Sequence, residues 1–207
     1  MMRSHKLGVI AAALAVVLGV SACGATKFDA QGYTKSCLDA VYKEEYKEYA
    51  DFLKISEEEA KKQMDDDFME SINQELVGVT GLSDEMKNKY ADIERQIRTM
   101  AKYEVKEAKE SDNGFTVTVE VEPSDIYQTL EASAEEALSE ADESVDLTQG
   151  DVLAQLLIDS VQKSIDKNTY GEKTTVELEV TKEDNVYTLK DAEMVKIQEA
   201  LFPESTQ

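Results

Sequence analysis

The chain has 207 residues, with one histidine, no tryptophan and two cysteines, and its 44 acidic side chains outnumber 22 basic ones. A formal charge of −22 argues against nucleic acid as a partner, because nucleic-acid phosphates are bound by Lys and Arg. The histidine is His5, so the rest of the chain cannot form a Ser-His-Asp triad, a Cys-His pair or a histidine-ligated zinc site. We therefore expect no enzyme, no cofactor and no specific metal site.

The amino terminus has the pattern of a secretory signal peptide. Arg3 and Lys6 precede an uncharged run of 14 residues, Leu7–Val20, and small residues follow it. The run is shorter than the roughly 20 apolar residues that a helix needs to cross a bilayer. We therefore predict that residues 1–22 are a signal peptide that is removed, and not a membrane-spanning helix.

The segment Val20-Ser21-Ala22-Cys23 resembles the bacterial lipobox, in which an aliphatic residue and two small residues precede a cysteine. The resemblance implies that the thiol of Cys23 receives a diacylglyceryl group and that cleavage leaves Cys23 as the first residue. Because two acyl chains are enough for stable anchoring, we expect attachment at the outer face of the bacterial cytoplasmic membrane. The alternative is an ordinary signal peptide, cleaved after Ala22, that leaves a free thiol.

Processing would leave 185 of the 207 residues, with 20 bases against 44 acids and a net charge of −24. Residues 23–27 would form a short tether, because Gly24–Lys27 spans at most about 15 Å when extended. Residues 28–203 are expected to form a single α+β domain. Because helices followed by a hairpin occur twice, 28–123 and 124–203 are also considered as two halves of a duplication.

Three helices are predicted before the first strand. The first runs from about Asp29 to Leu53, the second begins at a capping box formed by Ser56 and Glu59, and the third is capped by Ser83. Each carries apolar residues at spacings of three and four, which indicates one buried face. The first stripe is partly aromatic; we expect it in the core, with a sugar- or peptide-stacking surface as the alternative. The stripes are Leu38, Tyr42, Tyr46, Tyr49 and Leu53; Ala60, Met64, Phe68, Ile72 and Leu76; and Met86, Tyr90, Ile93, Ile97 and Met100.

Two β-hairpins are predicted from alternating apolar and polar residues in 103–123 and 174–190. The first turns at Ser111-Asp112-Asn113-Gly114, where Asn113 and Gly114 would supply positive φ angles. The fold class is therefore α+β, a helix-rich domain with an antiparallel sheet of about four strands that is covered on one face by helices. The apolar face is predicted to contain Phe115, Val117, Val119, Val121, Val176, Leu178, Val180, Tyr187 and Leu189.

Three further helices are predicted in the second half of the chain. They run from about Asp125 to Glu143 with Ser124 as cap, from Val152 to Asp166, and from a cap at Asp191 to Pro203. Their apolar stripes are Ile126, Leu130, Ala134, Ala137 and Ala141; Leu153, Leu156, Leu157, Val161 and Ile165; and Met194, Ile197 and Leu201.

Two features could carry chemistry besides Cys23. The acidic run Asp65-Asp66-Asp67 suggests a calcium site, but adjacent helical residues point about 100° apart, so we expect a solvated face instead. Cys37 lies among apolar positions and has no second cysteine to pair with once Cys23 is lipidated. We expect it to be a small buried side chain and not a reactive thiol.

The opening of the processed chain, Cys23 to Tyr49, followed by Ile55 to Gln63, resembles small lipoproteins of Gram-positive, clostridial-type bacteria that carry a domain of unknown function. The recurring elements are Phe28-Asp29, Gly32-Tyr33 and Leu38-Asp39 before a Tyr-rich helix. The resemblance implies a location and not an activity, and it assigns a role to Cys23 alone.

Two hypotheses of function follow. The first is a non-catalytic envelope lipoprotein, anchored in the membrane through Cys23, that binds a protein partner or assists surface machinery. The second is a pocket of the cystatin-like or nuclear-transport-factor-like kind, which would bind a small molecule or perform carboxylate-based catalysis. An enclosed cavity lined by Tyr and Met with an inward Asp or Glu would favour the second, and a filled core would favour the first.

Overall fold

The computed structural model of the protein describes residues 14–17, 28–77, 81–141, 146–184 and 186–204, with 14–17 described through its backbone. Within these ranges, seven helices and five strands form the α+β fold that the sequence predicts. The helices are α1 (Ala30–Tyr42), α2 (Lys47–Leu53), α3 (Glu57–Glu75), α4 (Asp84–Thr99), α5 (Leu130–Glu140), α6 (Gly150–Lys167) and α7 (Asp191–Leu201). The strands are β1 (Leu14–Val17), β2 (Lys102–Ser111), β3 (Gly114–Glu122), β4 (Thr174–Glu183) and β5 (Val186–Leu189).

The strands form one antiparallel sheet in the order β1-β5-β4-β3-β2. Its centre consists of the two predicted hairpins, β2-β3 and β4-β5, which are joined along β3 and β4. The prediction of four strands in one sheet is therefore confirmed for these hairpins. The fifth strand, β1, was not predicted, and it lies within the predicted signal peptide.

The core lies between one face of the sheet and the helices. Side chains at alternate positions of β3 and β4 are fully buried, and α1 and α7 pack against these strands, as the alternating pattern predicts. Met194, Ile197 and Leu201 of α7 are buried in the same cluster. The fully buried sheet residues are Val117, Val119, Val121, Leu178, Val180 and Leu189.

The turn of the first hairpin lies at the predicted residues, Ser111 to Gly114, but its φ angles differ from the predicted ones. Ser111 pairs with Gly114, and of the four predicted turn residues only Gly114 has a positive φ angle, of 147°. A Cβ atom at Gly114 would collide with the carbonyl oxygen of Val180 in β4. The glycine is therefore required because β4 approaches this end of β3 closely, and Asn113 does not adopt the left-handed conformation.

The first predicted helix is interrupted between α1 and α2. Glu44 has a φ angle of 57°, and the N–H groups of Lys43 and Glu45 both donate to the carbonyl of Asp39, at 2.9 and 3.2 Å. This segment has good intrinsic helix formers, so tertiary packing overrides local propensity here. Tyr42 and Tyr46, on either side of the break, are both buried, as is Tyr49. The prediction that the aromatic stripe belongs to the core is confirmed.

The caps of α3 and α4 are as predicted. Ser56 accepts a hydrogen bond from the N–H of Glu59, and the carboxylate of Glu59 accepts one from the N–H of Ser56 at 2.9 Å, which is a complete capping box. Ser83 accepts from the N–H of Met86 at 3.3 Å and begins α4.

The helix predicted from Asp125 begins five residues later. The N–H of Ser124 donates to the carbonyl of Leu201 at 2.8 Å, and the carboxylate of Asp125 accepts from the N–H of Thr169 at 2.7 Å. These contacts tie the segment to the end of α6 and to α7, so α5 begins at Leu130 and Ser124 does not cap it. The last helix also begins differently, because Lys190 and not Asp191 is its N-cap residue.

The buried face of α6 agrees only in part with the predicted apolar face. Leu153 and Leu157 are each 41% exposed, whereas Ser160 and Ser164 are buried. The hydroxyl of Ser160 donates to the carbonyl of Leu156 at 2.7 Å, so this buried polar group is paired inside the helix. Val161 and Ile165 of the predicted stripe pack against the core as expected, whereas Leu153 and Leu157 are exposed and two serines are buried.

Candidate functional site

Cys23, the predicted lipidation site, and the tether Gly24–Lys27 lie outside the described residues. The first described residue after them is Phe28, which is 8% exposed and belongs to the core. Its ring stacks on that of Tyr187 in β5, with centroids 3.9 Å apart and an interplanar angle of 5°. Phe28, which follows Cys23 by five residues, is therefore a core residue directly beside β5.

Phe28 belongs to an aromatic cluster beside β5. Its ring centroid lies 5.4 Å from Tyr33 of α1 and 6.0 Å from Phe115 of β3, and the ring of Tyr33 lies 5.6 Å from Phe52 of α2. Tilted and edge-on contacts at these distances are the favourable geometries for aromatic pairs. The cluster connects α1 and α2 to the β5 side of the sheet.

Strand β1 lies against this side of the sheet. All four residues of Leu14–Val17 pair in antiparallel register with Val186–Leu189, from Leu14 opposite Leu189 to Val17 opposite Val186. β1 also contacts α2. The edge of β5 together with α2 therefore accommodates a short extended segment.

The opposite edge of the sheet, β2, has a different character. Its pairing with β3 shifts in register between Val105 and Ala108, and six of its ten residues are charged. Bulges and charges are the features by which natural proteins prevent pairing at sheet edges. β5, with the sequence Val-Tyr-Thr-Leu, has neither. The charged residues of β2 are Lys102, Glu104, Lys106, Glu107, Lys109 and Glu110.

A second candidate is a buried charged cluster around α4, which the sequence analysis did not predict. Glu94 is 6% exposed, and its Oε2 atom has no hydrogen-bond partner among the described residues. Burial raises the pKa of Glu94 to about 7; the charge of Glu75 adds to this, and Arg98 opposes it. Tyr90 donates to the Oε2 atom of Glu75 at 3.0 Å. A carboxylic acid with this pKa exchanges protons near neutral pH.

The space beside this cluster is small. A cavity between α1, α3 and α4 is lined by Tyr42, Tyr46, Met64 and Arg98, among others, and has a volume of about 20 Å³. That is room for about one water molecule. The guanidinium group of Arg98 lies over the ring of Phe68, 4.4 Å from its centroid, and both residues line the cavity. This cavity between α1, α3 and α4 is therefore too small for a small-molecule ligand.

Asp39 is a further buried carboxylate, but ion pairs and hydrogen bonds saturate it. It accepts from the hydroxyl of Tyr103 and from Lys43, each at 2.7 Å, and from Lys35. Burial alone would raise the pKa of Asp39, but these hydrogen bonds outweigh burial and lower it. The arrangement fastens α1 to β2 and has the character of a structural contact.

The other candidates from the sequence have structural surroundings. Cys37 is fully buried and is a free cysteine, and burial raises the pKa of its thiol far above the usual value, as expected for an inert side chain. The three consecutive carboxylates do not converge: Asp65 pairs with Lys61 and Arg95, whereas Asp66 pairs with Lys62. No group of three or more potential metal ligands occurs among the residues that the structure describes.

An apolar surface lies between α5 and α6. The two helices border a groove of about 570 Å³, whose apolar lining includes Ala137, Val152 and Leu156. Leu138, Leu153 and Leu157 are exposed on these helices but do not line the groove. Glu140, Asp159 and Lys163 line the groove as well, so charged groups interrupt its apolar lining. The surface is suited to contact with another molecule but contains no converging set of polar groups.

The described ranges contain no helix that is both long and apolar enough to cross a membrane. Comparison of the chain with protein-family models, with curated proteins and with solved structures finds no match.

Proposed function

We propose that the protein is a lipoprotein, anchored through Cys23 at the outer face of the bacterial cytoplasmic membrane, that binds a partner of the cell envelope and is not an enzyme. The observation that carries the proposal is the position of Phe28. A core residue follows the lipobox-like cysteine after only four others, so the chain between anchor and domain spans about 15 Å at most. A domain with such a tether stays at the membrane surface.

The charge of the domain agrees with this role. A net charge of −24 in the processed chain, from 20 bases and 44 acids, opposes adsorption of the domain onto anionic lipids. The domain is then attached by its lipid and keeps its surface available for proteins. The small volume of the cavity beside Arg98 supports binding at the surface over an internal pocket.

Partitioning into detergent tests the anchor. The protein expressed in a bacterium that processes lipoproteins is expected to enter the detergent phase after phase separation. Cys23→Ala is expected to shift it to the aqueous phase or to block its maturation. Cys37→Ala is the matched control, because it removes the other cysteine, which is buried, and should leave partitioning unchanged. Equal partitioning of the Cys23→Ala variant and the parent would overturn the anchor.

A second candidate function is a small-molecule pocket or carboxylate-based chemistry of the cystatin-like or nuclear-transport-factor-like kind. One observation favours it, namely the buried Glu94 with a pKa of about 7 beside Tyr90 and Arg98. Crosslinking in intact cells, followed by purification and mass spectrometry, separates the two functions. The first proposal predicts a crosslinked envelope protein, whereas a co-purifying metabolite without any protein partner would favour the second.

A further inference from the structure

We infer that the outer edge of β5 is a docking site for an extended, uncharged segment of a partner protein, which adds to the sheet as an antiparallel strand. The inference rests on the proposed function, because removal of residues 1–22 takes away β1 and leaves the backbone of β5 without its neighbour. Strand addition of this kind obtains affinity from main-chain hydrogen bonds and specificity from alternate side chains.

The pairing of β1 shows what this edge accepts. Leu14–Val17 is an extended segment of Leu, Ala, Val and Val, and it pairs with every residue of Val186–Leu189. The edge thus binds an uncharged segment of about four residues through its backbone. In the processed protein a partner segment of the same chemistry would take this position.

The residues of β5 favour such pairing. Natural proteins protect free sheet edges with charges, prolines or bulges, and β2 at the other edge has both charges and a register shift. Val186, Tyr187, Thr188 and Leu189 include none of these features. An edge that is left open and unprotected by processing is expected to have a pairing function.

The surroundings of β5 provide apolar contacts and place its edge close to the proposed anchor. Tyr187 stacks on Phe28, and Phe28 lies 6.3 Å from Phe52 of α2, the helix that β1 contacts. Because Phe28 follows Cys23 by five residues, this edge lies near the end of the predicted tether, which itself spans at most about 15 Å. The partner segment is therefore expected to be exposed close to the membrane surface.

Charge argues for a different protein and not for a second copy. Two processed copies would each carry a net charge of −24 (20 bases and 44 acids), so their approach is opposed by repulsion. A short segment from a partner of lower charge avoids the repulsion.

The test uses a fluorescein-labelled peptide with the sequence of residues 13–18, Ala-Leu-Ala-Val-Val-Leu, and the processed protein in nanodiscs. Two further peptides carry backbone N-methyl groups, one at the residues matching Leu14 and Val16, the other at those matching Ala15 and Val17. Alternate N–H groups of an antiparallel strand face its neighbour, so one N-methylated peptide loses the pairing hydrogen bonds and the other keeps them. Fluorescence anisotropy measures binding, and mass spectrometry of the same sample establishes where the chain begins.

We expect the unmodified peptide and one N-methylated peptide to bind, and the other N-methylated peptide to bind at least about tenfold more weakly. The two N-methylated peptides have the same composition, so partitioning into lipid does not distinguish them. Equal binding of both, or binding of none, by a chain that begins at Cys23 would overturn the docking site and leave the proposed function intact. A chain that begins at Met1 would overturn both the docking site and the proposed function. A dimer that dissociates on size-exclusion chromatography when the peptide is added would show that the occupant is a second copy of the chain.

Discussion

The ring of Phe28 is stacked face to face on the ring of Tyr187, with centroids 3.9 Å apart. The contact joins the first described residue after the predicted anchor to β5, near the end of the chain. The contact lies beside the edge that β1 occupies. The proposed anchor at Cys23 is thus close in the chain to a residue that contacts the candidate docking edge.

Replacing Phe28 is expected to weaken the domain as a whole. Phe28→Ala removes a buried ring with four aromatic neighbours and should lower the free energy of unfolding by about 3 kcal/mol. Phe28→Leu keeps most of the apolar volume and should cost clearly less. Urea unfolding followed by circular dichroism measures both. If Phe28→Ala were as stable as the parent, Phe28 would have to be part of the tether and not of the core.

The two faces of β3 are expected to respond oppositely to a charge. Val119 is fully buried, so Val119→Asp places an unpaired carboxylate in the core and should unfold the domain. Thr118 lies on the other face, opposite Glu177, so Thr118→Asp should cost only about 0.5 kcal/mol from like-charge repulsion. Circular dichroism and thermal unfolding compare the variants. Equal tolerance of both substitutions would contradict the orientation of the sheet.

The hydrogen bond between Tyr103 and Asp39 is expected to contribute stability that depends on pH. Tyr103→Phe removes a donor to a buried carboxylate and should cost about 2 kcal/mol at pH 7. The pKa of Asp39 is lower in the folded protein than in the unfolded chain, so its contribution is present above the unfolded value and is lost as the pH falls through the folded one. The penalty of Tyr103→Phe should therefore shrink in acid.

Tyr170→Phe provides the control for this experiment. The hydroxyl of Tyr170 donates to the carbonyl of Met100 at 2.8 Å, and this acceptor does not titrate. The cost of Tyr170→Phe should be independent of pH over the same range, as measured by urea unfolding. A pH-independent cost for Tyr103→Phe as well would show that the charge of Asp39 does not contribute to the contact.

Glu94 is expected to make the protein less stable as the pH rises. Its pKa is about 7 in the folded protein and has an ordinary value of 4.5. Between these values the folded state binds more protons than the unfolded state, so stability decreases with pH across this window, by up to about 3 kcal/mol. Glu94→Gln, which cannot ionise, should remove this decrease.

Unfolding of the parent and of the Glu94→Gln variant at several pH values between 4 and 8 measures the effect. The difference between the two proteins isolates Glu94 from the other carboxylates. Parallel stability curves would mean that Glu94 titrates normally and that its surroundings are more polar than the structure indicates.

Local patterns in the sequence predicted much of the fold. The capping box of Ser56 and Glu59 and the cap at Ser83 depend on contacts within four residues, and both are found in the structure. The alternation in β3 and β4 predicted which side chains are buried, because one face of a sheet is defined by every second residue. These features are encoded by neighbouring residues.

The differences arise where distant residues decide the structure. The break at Glu44 depends on tertiary packing. The late start of α5 depends on contacts to Thr169 and Leu201, which lie far away in the chain. The buried position of Glu94 was missed because charged residues are usually exposed, although its spacing from Tyr90 and Ile97 places it on the apolar face of α4. The sequence predicted Cys23 as a candidate site. The edge of β5 could be recognised as one only from the order of the strands in the sheet.

Mass spectrometry of the amino-terminal peptide tests the central claim most directly. The protein is purified from the membranes of a bacterium that processes lipoproteins and is digested under conditions that retain acyl groups. We expect a peptide that begins at Cys23 and carries a thioether-linked diacylglyceryl group. A peptide that begins at Met1, or a Cys23 with an unmodified thiol, would contradict the account.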